Sequence, residues 1–292
     1  MTEDFARCHI RAGGFDIAYV SRGAGPLVIF LHGFPDTYRG FLPILDRVAA
    51  AGYRAVAPSL RGYAPSELAP DHDYRVEASA SDVLDLADAL GAERFSIVGH
   101  DWGAVTGYAA ANLAPQRVRR LVAAAVPHTG HFLLNMGWQQ LRRSSYMLRF
   151  QLPGLPEAQL SAHDFAGVVA LIKLWSPAWQ CGEAELRPLK DNYADPRRLK
   201  AALAWYRQLP RSLLSSLSRR LIFSPVSVPT RIIYGMQDGC IGAAMFQHQE
   251  RNFTQRLDLI ALPDAGHFMQ WEQPELFARL VLDFLGSPQD AH

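Results

Sequence analysis

The sequence is poor in the features that would tie it to a metal, a membrane or a polyanion. Only three cysteines occur in 292 residues, and Cys8, Cys181 and Cys240 are far apart with no CxxC pair. No disulfide framework and no structural zinc motif is therefore indicated. Neither sign of charge dominates: 29 Lys and Arg face 28 Asp and Glu, a formal net charge of +1 at pH 7. Such a balance leaves no electrostatic footprint for nucleic acid or an anionic lipid surface. The pairs Arg119-Arg120, Arg142-Arg143 and Arg219-Arg220 read as solvated helix faces. No apolar run approaches the roughly 18 residues of a membrane span. Met1 to Arg11 is mixed polar and lacks the apolar stretch of a secretory signal. Internal repeats and low-complexity segments are also missing. The expectation is a soluble cytoplasmic protein with no cofactor and no metal, its state as monomer or homodimer undecided.

What the chain has is apolar mass: 49% hydrophobic against 20% charged residues, enough for a sizeable core. Over residues 15 to 127 short apolar runs alternate with helical spacing. Phe15 to Val20, Leu27 to Leu31, Tyr53 to Ala57, Phe95 to Val98 and Val118 to Val126 read as strands. Between them Phe41 to Ala51, Val76 to Leu90 and Val105 to Leu113 read as helices, the second stopped by Gly91. This rhythm calls for an α/β fold with a mostly parallel sheet covered by helices on both faces. From His128 to Leu221 no β-rich run occurs, and Pro153, Pro156, Pro177, Pro188 and Pro196 break the segment into short helices. The α/β rhythm then resumes with strands at Thr230 to Tyr234 and Leu257 to Leu262, and helices at Ala243 to Asn252 and Pro274 to Leu285. Residues 1–127 and 222–292 are thus predicted to form one α/β core, with 128–221 as an inserted helical cap.

Three segments carry chemistry. Gly99-His100-Asp101-Trp102-Gly103 joins an apolar strand to a helix. Glycines two residues either side of the central position allow the sharp elbow that lifts a nucleophile above the sheet. The usual central serine is replaced by Asp101, which read alone would equally suit a helix cap. His32-Gly33-Phe34-Pro35 ends another apolar strand. In register with the elbow, the backbone N–H groups of Phe34 and Trp102 would form an oxyanion hole. Late in the chain Asp238 follows one strand and His267 another, giving the order nucleophile, acid, histidine. Among ten histidines, His9, His72, His163, His248 and His292 stand in no motif, and His100 should point beneath the elbow. His128 and His131, at the cap entrance, are candidates for the pocket wall. Asp264 is the rival acid, but Pro263-Asp264-Ala265-Gly266 reads as a turn, so Asp238 is preferred.

A carboxylate is ionised at neutral pH and can displace a leaving group from saturated carbon, forming an alkyl ester on the enzyme. That points to a reactive C–O or C–halogen bond. An epoxide oxygen leaves as a basic alkoxide and needs an acid beside it. Tyr146, Tyr193 and Tyr206 of the cap are candidates, and spacing alone does not choose among them.

Over nearly its whole length the chain resembles the soluble epoxide hydrolases of the α/β-hydrolase fold. The resemblance lies in His32-Gly33-Phe34-Pro35, Leu60-Arg61-Gly62-Tyr63, Gly99-His100-Asp101-Trp102-Gly103 and Gly266-His267. It extends to Tyr146-Met147-Leu148-Arg149-Phe150-Gln151-Leu152-Pro153-Gly154 and to Trp205-Tyr206-Arg207. It implies Tyr146 and Tyr206 as the two ring-opening acids, a small-molecule epoxide as partner, and Asp101, Asp238 and His267 as the catalytic set. Phe34, Trp102 and Phe268 are expected against the substrate. Two other readings compete. A haloalkane dehalogenase would share Asp101 and Trp102, but such enzymes often carry asparagine where Phe34 stands. A catalytically idle binding protein on the same scaffold would not require the full constellation. A serine esterase is set aside because no serine occupies the elbow.

Overall fold

A computed structural model describes residues 8–286; the polar segment before Cys8 and His292 lie outside the described residues. The first half is built from β1 (Cys8–Ala12), β2 (Phe15–Arg22), β3 (Leu27–Leu31), α1 (Leu42–Ala50), β4 (Arg54–Pro58), α2 (Val76–Ala89), β5 (Phe95–His100), α3 (Trp102–Leu113) and β6 (Val118–Ala124). A helical insertion follows: α4 (Thr129–Asn135), α5 (Trp138–Arg143), α6 (Ser145–Phe150), α7 (Leu155–Trp175), α8 (Glu183–Tyr193), α9 (Pro196–Ser212) and α10 (Ser216–Phe223). The chain then returns to the sheet with β7 (Thr230–Gly235), β8 (Leu257–Leu262), α11 (Met269–Glu272) and α12 (Pro274–Leu285).

The eight strands form one sheet in the order β1-β2-β4-β3-β5-β6-β7-β8. β2 runs antiparallel to β1 and β4, and the other neighbours are parallel. β3 alternates between two cores: Leu27, Ile29 and Leu31 join the cluster containing α2 and α3, while Val28 and Phe30 join that containing α1 and α12. Both faces of the strand are covered, so it reads as an unbroken apolar run rather than an alternating one. Helix α3 packs close to the sheet because it is rich in small residues; a Cβ on Gly107 would lie 2.8 Å from a Leu121 methyl.

Register aligns the chemistry. Leu31 pairs with Gly99, His100 with Ala124, and Gly235 with Leu262. The segments leaving β3, β5, β7 and β8 therefore emerge at the same carboxyl edge. The chain crosses from β3 to β4 on one side and from β5 to β6 on the other, and open parallel sheets place their crevice between two such neighbouring strands.

Four expectations change. Arg119-Arg120 is not a helix face: both residues lie in β6, and Arg120 is buried and donates to the Phe284 carbonyl. β1 adds an edge strand that its half-polar, alternating burial did not announce. Ala243 to Asn252 is not a helix but two 3-10 turns, Ala243–Phe246 and Glu250–Asn252. The residues between them spend their side chains on other partners: Gln249 donates to the Phe246 carbonyl and accepts from the His128 N–H. The prolines also act differently in the insertion. Pro156 and Pro196 occupy first turns, where a missing N–H does no harm, and Pro188 lies within α8. The break in α7 falls instead at Ala162–Phe165, where His163, Asp164 and Phe165 have positive φ.

Candidate active site

Asp101 sits between β5 and α3 with φ 53° and ψ −121°. A non-glycine residue held there costs about 1–3 kcal/mol, and such strain is concentrated at functional turns. The flanking glycines explain how the turn closes. A Cβ on Gly99 would run into the Gly103 carbonyl, and one on Gly103 into the Leu31 carbonyl. The Asp101 side chain makes no capping bond to α3. Its Oδ1 instead accepts the Phe34 N–H at 2.8 Å, and the residue is only 7% exposed. A side chain on Gly33 would strike that carboxylate and lie 2.7 Å from the Trp102 nitrogen. Gly33 thus keeps open the space where the Phe34 and Trp102 backbones meet the Asp101 side chain.

The loop bearing Phe34 is fixed from below. His32 is fully buried, its Nε2 accepting the Leu60 N–H at 3.1 Å while Nδ1 lies 3.2 Å from the Gly33 carbonyl. Burial pushes its imidazole down to about 4, so it stays neutral. Asp36, not singled out by sequence, anchors the other side. It accepts from Thr37 N–H at 2.8 Å, Gln270 Nε2 at 3.1 Å and Trp271 Nε1 at 3.2 Å, and burial raises its carboxyl to about 6.

His267 follows β8 and Asp238 follows β7. The His267 Nδ1 lies 2.8 Å from Asp238 Oδ2, with both side chains wholly buried. Asp238 Oδ1 accepts the Cys240 and Ile241 N–H groups at 2.6 and 2.9 Å, which locks the carboxylate. On the other side of the ring, Nε2 faces Asp101 Oδ2 at 3.6 Å. Burial would lower the His267 pKa, but Asp238 and Asp101 together outweigh it and raise it to about 10. The rival Asp264 is exposed at the surface. His100 lies beneath, its Nε2 2.9 Å from the His267 carbonyl, and burial pushes it down to about 3.

The insertion contributes the clamp and the roof. The Trp175 carbonyl, at the end of α7, accepts the N–H groups of both Gly239 and His267. No motif pointed to this link. Above the elbow lies a narrow cavity of about 50 Å³ whose walls include Asp101, Trp102, Phe132, Tyr146, Met147 and Tyr206. The Tyr146 and Tyr206 rings are 5.8 Å apart, and both phenols are held far above their usual range by burial. The Tyr206 hydroxyl is buried without a hydrogen-bond partner, while that of Tyr146 lies 3.4 Å from Cys240 Sγ.

The residues singled out from sequence distribute unevenly. Asp101, Trp102, Tyr146 and Tyr206 share the cavity, with Asp238 and His267 behind Asp101. The Phe34 ring is not on the cavity wall; it packs against Tyr206, Phe150 and Tyr193. Phe268 is likewise set back, against His267 and Trp175. Tyr193 donates to the Pro35 carbonyl at 3.0 Å, outside the cavity. His128 bonds the Ser224 carbonyl, and its neighbour Thr129 reaches the wall instead. Asp238, Cys240 and His267 approach within 4.8 Å, a spacing that suits a metal ion, yet the acid and the imidazole are already bonded to each other. Among the described residues no helix is long and apolar enough to cross a membrane.

Residues 26–274 match the alpha/beta hydrolase fold family. The chain belongs to the α/β-hydrolase family and groups with its epoxide hydrolases. This α/β-hydrolase is 30% identical over 273 residues to the AB hydrolase superfamily protein YfhM of Bacillus subtilis (strain 168), covering 92% of this chain and 93% of that one. It is 30% identical over 292 residues to Epoxide hydrolase 3 of Xenopus tropicalis, covering 94% and 76%. The crystal structure of Bacillus megaterium epoxide hydrolase in complex with an inhibitor matches with a TM-score of 0.83 at 25% identity, covering 96% of this chain and 100% of that one.

Proposed function

We propose that this α/β-hydrolase is an epoxide hydrolase, converting an epoxide and water to a vicinal diol through an ester on Asp101. The observation that carries the reading is that one carboxylate and two buried phenols line a single apolar cavity. Asp101 Oδ2 is the attacking oxygen, since Oδ1 is engaged by the Phe34 N–H. Its bond to a ring carbon forms as the C–O bond breaks, and the departing oxygen takes a proton from Tyr146 or Tyr206.

Charge then does the switching. Esterification removes the negative charge facing His267 Nε2, so the imidazole loses part of what held its proton. That proton passes to the tyrosinate, leaving His267 neutral and basic. Water gives a proton to His267 as its oxygen adds to Cγ of Asp101, and the new oxyanion rests on the Phe34 and Trp102 N–H groups. Collapse releases the diol oxygen, which takes the proton of the newly formed Asp101 carboxyl. Carboxylate and imidazolium are regenerated, with Asp238 holding the ring throughout.

Halide release from a haloalkane is less favoured, because a halide leaves without a proton and would have no use for two phenols. Single turnover of styrene oxide in heavy-oxygen water tests the reading. The first diol should carry unlabelled oxygen from Asp101, with label entering that side chain. Label appearing directly in the diol would overturn the ester.

A further inference from the structure

The loop after β7 brings one more reactive group up to Tyr146, behind the cavity wall. Cys240 is 1% exposed, and its backbone is pinned at both ends. Its N–H donates to Asp238 Oδ1 at 2.6 Å, and its carbonyl accepts from Gln140 Nε2 at 2.9 Å. The sulfur is therefore placed by the same carboxylate that orients His267. It lies 3.4 Å from the Tyr146 hydroxyl, whereas the Tyr206 hydroxyl has no partner.

A buried phenol that is held while the cavity is empty must still be free to donate when a substrate oxygen arrives. Sulfur suits both demands, because it is a weak acceptor. A serine or carboxylate oxygen would hold the phenol more tightly and compete with the incoming ring oxygen. We propose that Cys240 is a positioning residue for Tyr146, aiming its O–H in the empty site and yielding it to the oxygen of the opening epoxide. The identity of the reaction rests on the proposed function; the contact does not. Cys240 keeps its own proton throughout. Burial, with Asp238 and Asp101 nearby, raises its thiol well above the usual range, so it does not compete with Asp101 for the electrophile.

The test is a double-mutant cycle on the single-turnover rate of ester formation from styrene oxide. Cys240→Val, which keeps the bulk and removes the acceptor, should slow ester formation several-fold in the wild-type background. In Tyr146→Phe it should have no further effect, and ester hydrolysis should be unchanged in both. Cys240→Ser should also slow ester formation, by binding the phenol too well. An equal loss with and without the Tyr146 hydroxyl, or a parallel loss in ester hydrolysis, would mean a packing role only and would overturn the proposal. A wild type that forms no ester rejects the reaction, and the contact is then judged by NMR with 13Cζ-tyrosine. The resonance missing in Tyr146→Phe should shift in Cys240→Val; an unmoved resonance overturns the contact.

Discussion

His267 Nε2 stands 3.6 Å from Asp101 Oδ2, near enough for the charges to couple and too far for a good hydrogen bond. The two groups proposed as base and nucleophile therefore share a field without sharing a proton. Replacing His267 by Gln should leave the first step running and stop the second. Intact-mass spectrometry after addition of an epoxide should show a stoichiometric adduct equal to the substrate mass, mapped to Asp101. Steady-state turnover should fall by roughly 10³-fold or more. Asp101→Asn should show no adduct.

Asp101→Asn also mimics the neutral ester electrostatically. The His267 pKa, raised to about 10 in the free enzyme, should fall in this variant, and NMR of the ring would follow it. A stability effect accompanies the shift. A histidine raised above 6.5 stabilises the fold fully below about that pH, and the contribution is lost as pH rises through about 10. Between those limits the wild type should lose melting temperature more steeply with rising pH than Asp101→Asn. Equal slopes would show that Asp101 does not help to hold the proton.

The two tyrosines should prove partners in one task. Tyr146→Phe and Tyr206→Phe should each slow ester formation, by about 10-fold to 10²-fold, and the double variant by more. Ester hydrolysis should change little. Stopped-flow quenching of tryptophan fluorescence on epoxide binding and ring opening would separate the steps. Unchanged ester formation in the double variant would remove the phenols from the mechanism.

Beneath the site, Arg61 and Asp82 form a two-pronged pair, Nε to Oδ2 at 2.6 Å and Nη2 to Oδ1 at 2.7 Å. The Arg61 side chain is 3% exposed and that of Asp82 11%. Arg61→Met should destabilise the fold by about 3–5 kcal/mol, because it strands a buried carboxylate. Urea denaturation of Arg61→Met and of Arg61→Met/Asp82→Leu is the check. The double variant should recover much of the loss.

The sheet was largely legible because doubly covered strands leave continuous apolar runs, and the reading of Leu27 to Leu31 agrees with β3 at both ends. The elbow was legible because Gly99 and Gly103 are demanded by backbone contact rather than by side-chain preference. Less visible were groups that act by tertiary contact alone. Asp36 looks in sequence like any acid after a turn, and only the fold brings Gln270 and Trp271 to it. Phe268 beside His267 suggested a substrate contact, yet its ring turns back toward Trp175. Sequence distance likewise hid the meeting of Cys240 and Tyr146, which belong to different elements.

Trp175 acts as a mechanical fastener between the helical insertion and the sheet. One peptide oxygen holds both the segment that carries Asp238 and the segment that carries His267, so the far end of α7 is riveted to the floor of the site. A roof fastened along that seam cannot hinge there without unseating the pair. Widening the chamber for a guest bulkier than a water molecule or two thus falls to the side of the wall formed by Phe132, Leu133, Met147 and Leu209, which carry no such tether to His267 or Asp238. Mutations that tune which guests are admitted should therefore gather on that side, leaving the hydrolytic machinery undisturbed.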